Sequence, residues 1–150
     1  MNSSRMTISW ILVLIAESAL VAYGIGAIIF PDSLFSPSFE KLSGQSWDSL
    51  VSASPKVAAY ISLSNRLIGG FNIAFGVLAI FVAMKGLRKG TPWCWYALLI
   101  GNSLAYGAPI SFDLSTGQIA LPEISEIVLI GVIYFSLSLS ARDVLQTKSA

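Results

Sequence analysis

Four long apolar runs, each interrupted by one or a few polar residues, dominate the chain. They cover about residues 8–30, 55–84, 92–112 and 122–141, and each approaches or exceeds the ~20 residues a helix needs to cross ~30 Å of hydrocarbon. The pattern predicts an all-α, polytopic membrane protein: a single four-helix domain over residues 1–150, with residues 31–54 as its one long connection. The second run is long, so its first turn is expected at the interface or the helix is tilted. Ser54 before Pro55 and Thr91 before Pro92 each place a capping residue ahead of a proline at the first helical position. Pro122 followed by Glu123 adds an acid in the first turn, where the helix dipole favours it. In the long connection, Ser36 and Pro37 predict the start of a short helix and Gly44 its end, with Phe35, Phe39 and Trp47 as apolar anchors. Such a segment is expected to cover the bundle mouth or to lie in the headgroups. The first run, preceded by Arg5, also has the outline of a signal peptide, but Glu17 breaks it and it is long for one; an uncleaved helix is expected.

Composition agrees with the pattern. Apolar residues make up 55% of the chain and charged residues 11%, with a mean hydropathy of +0.74, against about a quarter charged in a soluble domain. A net charge of +1 supplies no basic face for nucleic acid. Histidine is absent, which removes His-based haem and zinc sites and His general bases. The single cysteine, Cys94, forms no internal disulfide and no multi-cysteine metal site, and a packing role is expected for it. No phosphate-binding Gly-rich loop or nucleophile elbow occurs, so no metal, cofactor or catalytic residue is assigned.

The basic residues predict orientation. Lys85, Arg88 and Lys89 lie between the second and third runs, and Arg5, Arg142 and Lys148 fall on the same side. The positive-inside rule then puts both termini in the cytoplasm of a multi-pass cell-membrane protein. The connection near residues 111–121 has no base, and residues 32–54 hold only Lys41, as expected outside.

Polar residues within the runs are the candidate chemistry. At 1.5 Å per residue, Glu17 counted from Ile8, Arg66 from Val57 and Asn102 from Pro92 each lie about 14–15 Å into the bilayer, near the midplane. Asn65, Gly69, Asn72 and Gly76 share one helical face, and so do Asn102, Tyr106, Pro109 and Asp113. Glu123 and Glu126 sit one turn apart on the fourth run. The polar interior therefore widens outward. A charge at mid-membrane costs about 2.5–3.5 kcal/mol on insertion scales, so Arg66 is expected to pair with Glu17 or Glu126, with Asn102 and Tyr106 around them. Three interpretations stay open: a lock between helices, a ligand site, or a proton or ion path. The ligand-binding candidates are Glu17, Arg66, Asn102, Tyr106 and Glu126.

Small residues repeat every four positions at Ser18, Ala22 and Gly26, and at Ala97, Gly101 and Ala105. Such stripes let helices approach closely, inside the bundle or between protomers, with the former expected. Trp10, Trp93, Trp95 and Tyr96 are read as an aromatic belt.

The run Asn65–Gly70, then Gly76, a basic turn and Trp93-Cys94-Trp95-Tyr96 resembles the pattern of small DoxX-like membrane proteins over about residues 8–141. The resemblance implies a four-helix bundle. Its function transfers weakly, since that wider family includes quinone-linked oxidoreductase subunits alongside members without a known activity. The leading functional expectation is a small membrane protein that binds a lipophilic or amphipathic ligand in a polar-lined pocket open to the extracytoplasmic side. The alternatives are an accessory or assembly subunit of a larger membrane complex, and a membrane enzyme, an isomerase or quinone-linked, acting on a lipophilic substrate. The expected partners are the bilayer, a lipophilic small molecule, and a second copy or a complex subunit.

Overall fold

The computed structural model describes residues 4–117 and 121–145, with the backbone alone for 115–116 and 121–123. The expectations that rest on the Glu123 and Pro122 side chains and on Lys148 lie outside the described residues. Every described element is helical: α1 (Ser4–Ile29), α2 (Pro31–Ser43), α3 (Trp47–Ala53), α4 (Pro55–Lys85), a 3-10 turn (Leu87–Lys89), α5 (Pro92–Thr116) and α6 (Leu121–Leu145). Among the described residues three segments are long and apolar enough to cross a membrane: Ser4–Ile29, Pro55–Lys89 and Ile124–Leu145. At 25 residues α5 is as long as α6, but Asn102, Ser103, Tyr106 and Pro109 dilute its apolar content.

The long helices pack antiparallel. One end of the molecule holds residue 4, the 86–91 turn and residue 145, and is here the terminal end. The opposite, loop end holds α2 and α3. Pro55 and Pro92 open their helices as expected, yet neither the Ser54 nor the Thr91 side chain makes a capping bond. The helix expected from Ser36 starts instead at Pro31, which suits the first helical position and is followed by Asp32 in the dipole-favoured first turn. Pro37 is carried inside α2, and the helix stops at Gly44 with φ 69°, a left-handed conformation that glycine adopts without a Cβ penalty.

Glycine sets the α1–α4 contact. A Cβ on Gly24 would stand 2.7 Å from the Gly69 carbonyl oxygen, and one on Gly69 would stand 2.6 Å from that of Gly24. A Cβ on Gly76 would meet Val21 Cγ2 at 2.7 Å and the Glu17 carbonyl at 3.1 Å. Backbones this close exclude any side chain at the crossing. The stripe that packs is therefore not the expected one. Ser18 and Ala22 are exposed, because Glu17, Leu20, Gly24 and Ala27 turn the other side of α1 inward.

The tight core lies toward the terminal end: Met6, Val13, Ala83, Leu87, Leu98, Ile133, Leu137 and Val144 are buried together. A serine cluster joins α1 to α6 there. Ser9 Oγ donates to Ser140 Oγ at 2.9 Å, and Ser136 Oγ donates to the Ser9 carbonyl at 2.6 Å. Trp95 is a packing residue as much as an anchor, its Nε1 donating to the Leu137 carbonyl at 2.8 Å. Trp93 is exposed, and Arg88 stands 5.2 Å over the Trp10 ring. Cys94 is buried against Gly86, where a Cβ would come within 1.7 Å of its Sγ.

Candidate functional site

At the loop end the helices leave space. The region 31–54 folds over the mouth through Phe35, Phe39 and Trp47, whose rings meet at centroid distances of 6.4, 6.2 and 5.5 Å. Glu40 Oε1 accepts the Trp47 backbone N–H at 2.9 Å and so ties α2 to α3. Ser62 donates to Asp32, which holds α2 to α4. Beneath this cover lies a mouth cavity of about 310 Å³, lined by α2 and by Tyr23, Ala27, Asn65, Ile68, Pro109, Phe112, Asp113 and Glu126. A second cavity of about 480 Å³ opens between α1, α5 and α6, lined by Ala19, Leu20, Tyr23, Tyr106, Glu126, Val128 and Leu129 among others. Tyr23 and Glu126 line both.

Four of the five sequence candidates meet here. Glu17 and Asn102 are 0% exposed and Tyr106 is 2% exposed. The Asn102 amide lies beside the Glu17 carboxyl, but its Nδ2 donates to the Leu98 carbonyl at 2.9 Å. Among the described residues neither Glu17 carboxyl oxygen accepts a hydrogen bond of ordinary geometry, and Asn102 Oδ1 and the Tyr106 hydroxyl are unpartnered as well. Glu17 and Glu126 both stand within electrostatic range of that hydroxyl. Glu17 does not reach the cavity wall; it lies one helical turn deeper than Leu20, about 4.5 Å along α1.

Arg66 is the fifth candidate, and the structure separates it from the others. It is exposed, lines neither cavity, and among the described residues has no ion pair with Glu17 or Glu126. The α1–α4 register gives the reason. Gly24 faces Gly69, and the Glu17 backbone faces Gly76. Arg66 stands about ten residues from Gly76 along α4, so about 15 Å from the level of Glu17. The sequence count placed it at mid-membrane by starting the span at Val57. The strongly apolar stretch of α4 instead runs from Leu67 to Met84, which puts Arg66 at its edge, where a long cationic side chain can reach polar surroundings.

Tyr23 carries no polar pattern on its own run and was missed as a lining residue. The buried serine cluster was missed too; the only hint in the sequence was Ser136 and Ser140 one turn apart. Among the described residues no group of three or more His, Cys, Asp or Glu could hold a metal ion. The chain matches no protein-family model, no curated protein and no solved structure, so the site stands on its own geometry and the DoxX-like resemblance on the residues that suggested it.

Proposed function

We propose that this protein is a four-span protein of the cell membrane, with both termini cytoplasmic, that binds a lipophilic or amphipathic small molecule at its extracytoplasmic end. The observation that carries the proposal is that two largely apolar cavities share Tyr23 and Glu126 in their walls, with Tyr106, whose buried hydroxyl has no hydrogen-bond partner among the described residues, lining one. Pockets of a few hundred Å³ with apolar walls and few polar groups are the usual form of a small-molecule site. The fourth span is α5, whose Asn102 and Tyr106 are buried while Ile100, Leu104 and Phe112 remain exposed. Lys85, Arg88 and Lys89, with Arg5 and Arg142 at the same end, support the orientation.

The test is photolabelling in liposomes with a small lipophilic diazirine. Adducts are expected on Tyr106 and on residues 124–129. Adducts confined to the outward faces of α4 and α6 would overturn the ligand proposal.

Arg66, exposed and without an ion pair among the described residues, supports a second reading, an accessory subunit that pairs with another membrane chain through α4. Recovery of a stoichiometric partner in mild detergent, lost on Arg66→Leu, would favour it.

A further inference from the structure

The larger cavity is open on one side. Ala19 and Tyr23 on α1, with Ile124 and Val128 on α6, line it and are exposed, while Leu20 and Tyr106 line it and are buried. The exposed residues form a rim and the buried ones a floor, so the space is a cleft between α1 and α6 that reaches back to α5. The same two helices are joined at the terminal end by Ser9, Ser136 and Ser140, and the cleft lies in their loop-end halves.

Depth decides what the rim faces. At 1.5 Å per residue, Ala19 and Leu20 lie about 14–15 Å from the end of α1 at Ile29, and Val128 and Leu129 about 10–12 Å from the start of α6 at Leu121. A hydrocarbon core of ~30 Å gives each leaflet about 15 Å. In a spanning bundle the rim therefore stands against the acyl chains of the loop-end leaflet. The walls at that level are aliphatic, from Ala19, Leu20, Val128 and Leu129, whereas Ser125 and Glu126 stand nearer the helix end. An apolar space takes up apolar matter in preference to water, and left empty it forfeits the dispersion contacts of its lining. At about 480 Å³ the cleft has the size of a small-molecule site. Its recessed floor is reached by a flexible chain, not by the flank of another helix, about 10–12 Å across.

We infer that this cleft takes an acyl chain of a phospholipid from the extracytoplasmic leaflet, entering sideways between α1 and α6 rather than past α2. This rests on the proposed four-span, ligand-binding reading and names the occupant of one of its two cavities.

The experiment uses the full chain in phosphatidylcholine nanodiscs doped with a phosphatidylcholine that carries a diazirine at mid-chain. Adducts are read by mass spectrometry on Leu20 and Leu129. Exposed Phe71 and Phe81 serve as lipid-facing references, and buried Leu98 and Ile133 as packed-core references. Leu20 is itself only 9% exposed, yet it is expected to be labelled several-fold above Leu98 and Ile133. Ala19→Trp puts a bulky ring at the rim and is expected to bring Leu20 down to the packed-core level, with Phe71 and Phe81 unchanged. A small, free lipophilic diazirine is run in parallel. Its capture in the cavities, with Leu20 at the packed-core level for the lipid probe, would overturn the acyl-chain assignment and leave ligand binding in place. Absence of cavity capture by either probe would overturn both. Undiminished labelling of Leu20 in Ala19→Trp would also overturn the assignment, since the chain would then reach Leu20 by another way. The comparison of Leu20 with Leu98 is made on the unaltered chain, so it decides the matter even where the variant fails to fold.

Discussion

The two ends of this molecule solve the same problem in opposite ways. Each has polar groups buried among apolar helices. At the terminal end Ser9, Ser136 and Ser140 satisfy one another and nearby carbonyls, and Val13, Leu98, Ile133 and Leu137 close around them. At the loop end Glu17, Asn102 and Tyr106 are buried as deeply, yet among the described residues several of their polar atoms lack a hydrogen bond of ordinary geometry, and a cavity adjoins Tyr106. Unsatisfied buried polar groups cost stability, so a chain that satisfies them at one end and not at the other has placed that cost beside its cavities. The tight end acts as the scaffold, and under the proposed function the loop end is where a bound molecule would offset that cost.

Truncation should expose the contrast most strongly. Leu98→Ala empties a packed site and is expected to cost about 2–5 kcal/mol. Leu34→Ala, at an exposed residue over the mouth cavity, is expected to cost under about 1 kcal/mol. Thermal or denaturant unfolding in one detergent compares them, and equal losses would end the division into scaffold and site.

Hydroxyl removal gives a smaller difference. Ser9→Ala deletes the donor to Ser140 and is expected to destabilise by about 1–2 kcal/mol. Tyr106→Phe deletes a buried hydroxyl without a partner, so stability should stay within about 1 kcal/mol of the parent or rise, while probe capture in the larger cavity falls. A Tyr106→Phe variant as damaged as Ser9→Ala would mean that this hydroxyl has a structural bond in the native protein.

Much of this contrast was legible beforehand. The apolar runs and the prolines at Pro55 and Pro92 marked three of the long helices closely, because length and φ-restriction are local properties. Asn102, Tyr106 and Asp113 were placed on one face by spacing alone. What could not be read was relative height between helices. That depends on which glycines meet, and Gly24 against Gly69 is a pairing no single run announces. The same gap hid the inward face of α1: Ser18, Ala22 and Gly26 had the spacing of a packing stripe, but Glu17, Leu20 and Gly24 won the interior. Mutual satisfaction of the serines was equally invisible, since Ser9 and Ser136 lie far apart in the chain.

Arg66 carries the smallest expected effect and the sharpest consequence. Were it the clamp for Glu17, its removal would strand a buried carboxylate and cost about 3–5 kcal/mol. In the structure it is exposed and about 15 Å from that level, so Arg66→Leu should change the stability of the isolated protein by no more than about 0.5 kcal/mol. Probe capture at Tyr106 should be unaffected as well. Unfolding of the variant in detergent beside the parent measures the first, and probe adducts measure the second. A loss above about 2 kcal/mol would restore Arg66 to the interior network, so this one substitution tests the helix register on which the separation of Arg66 from the site rests.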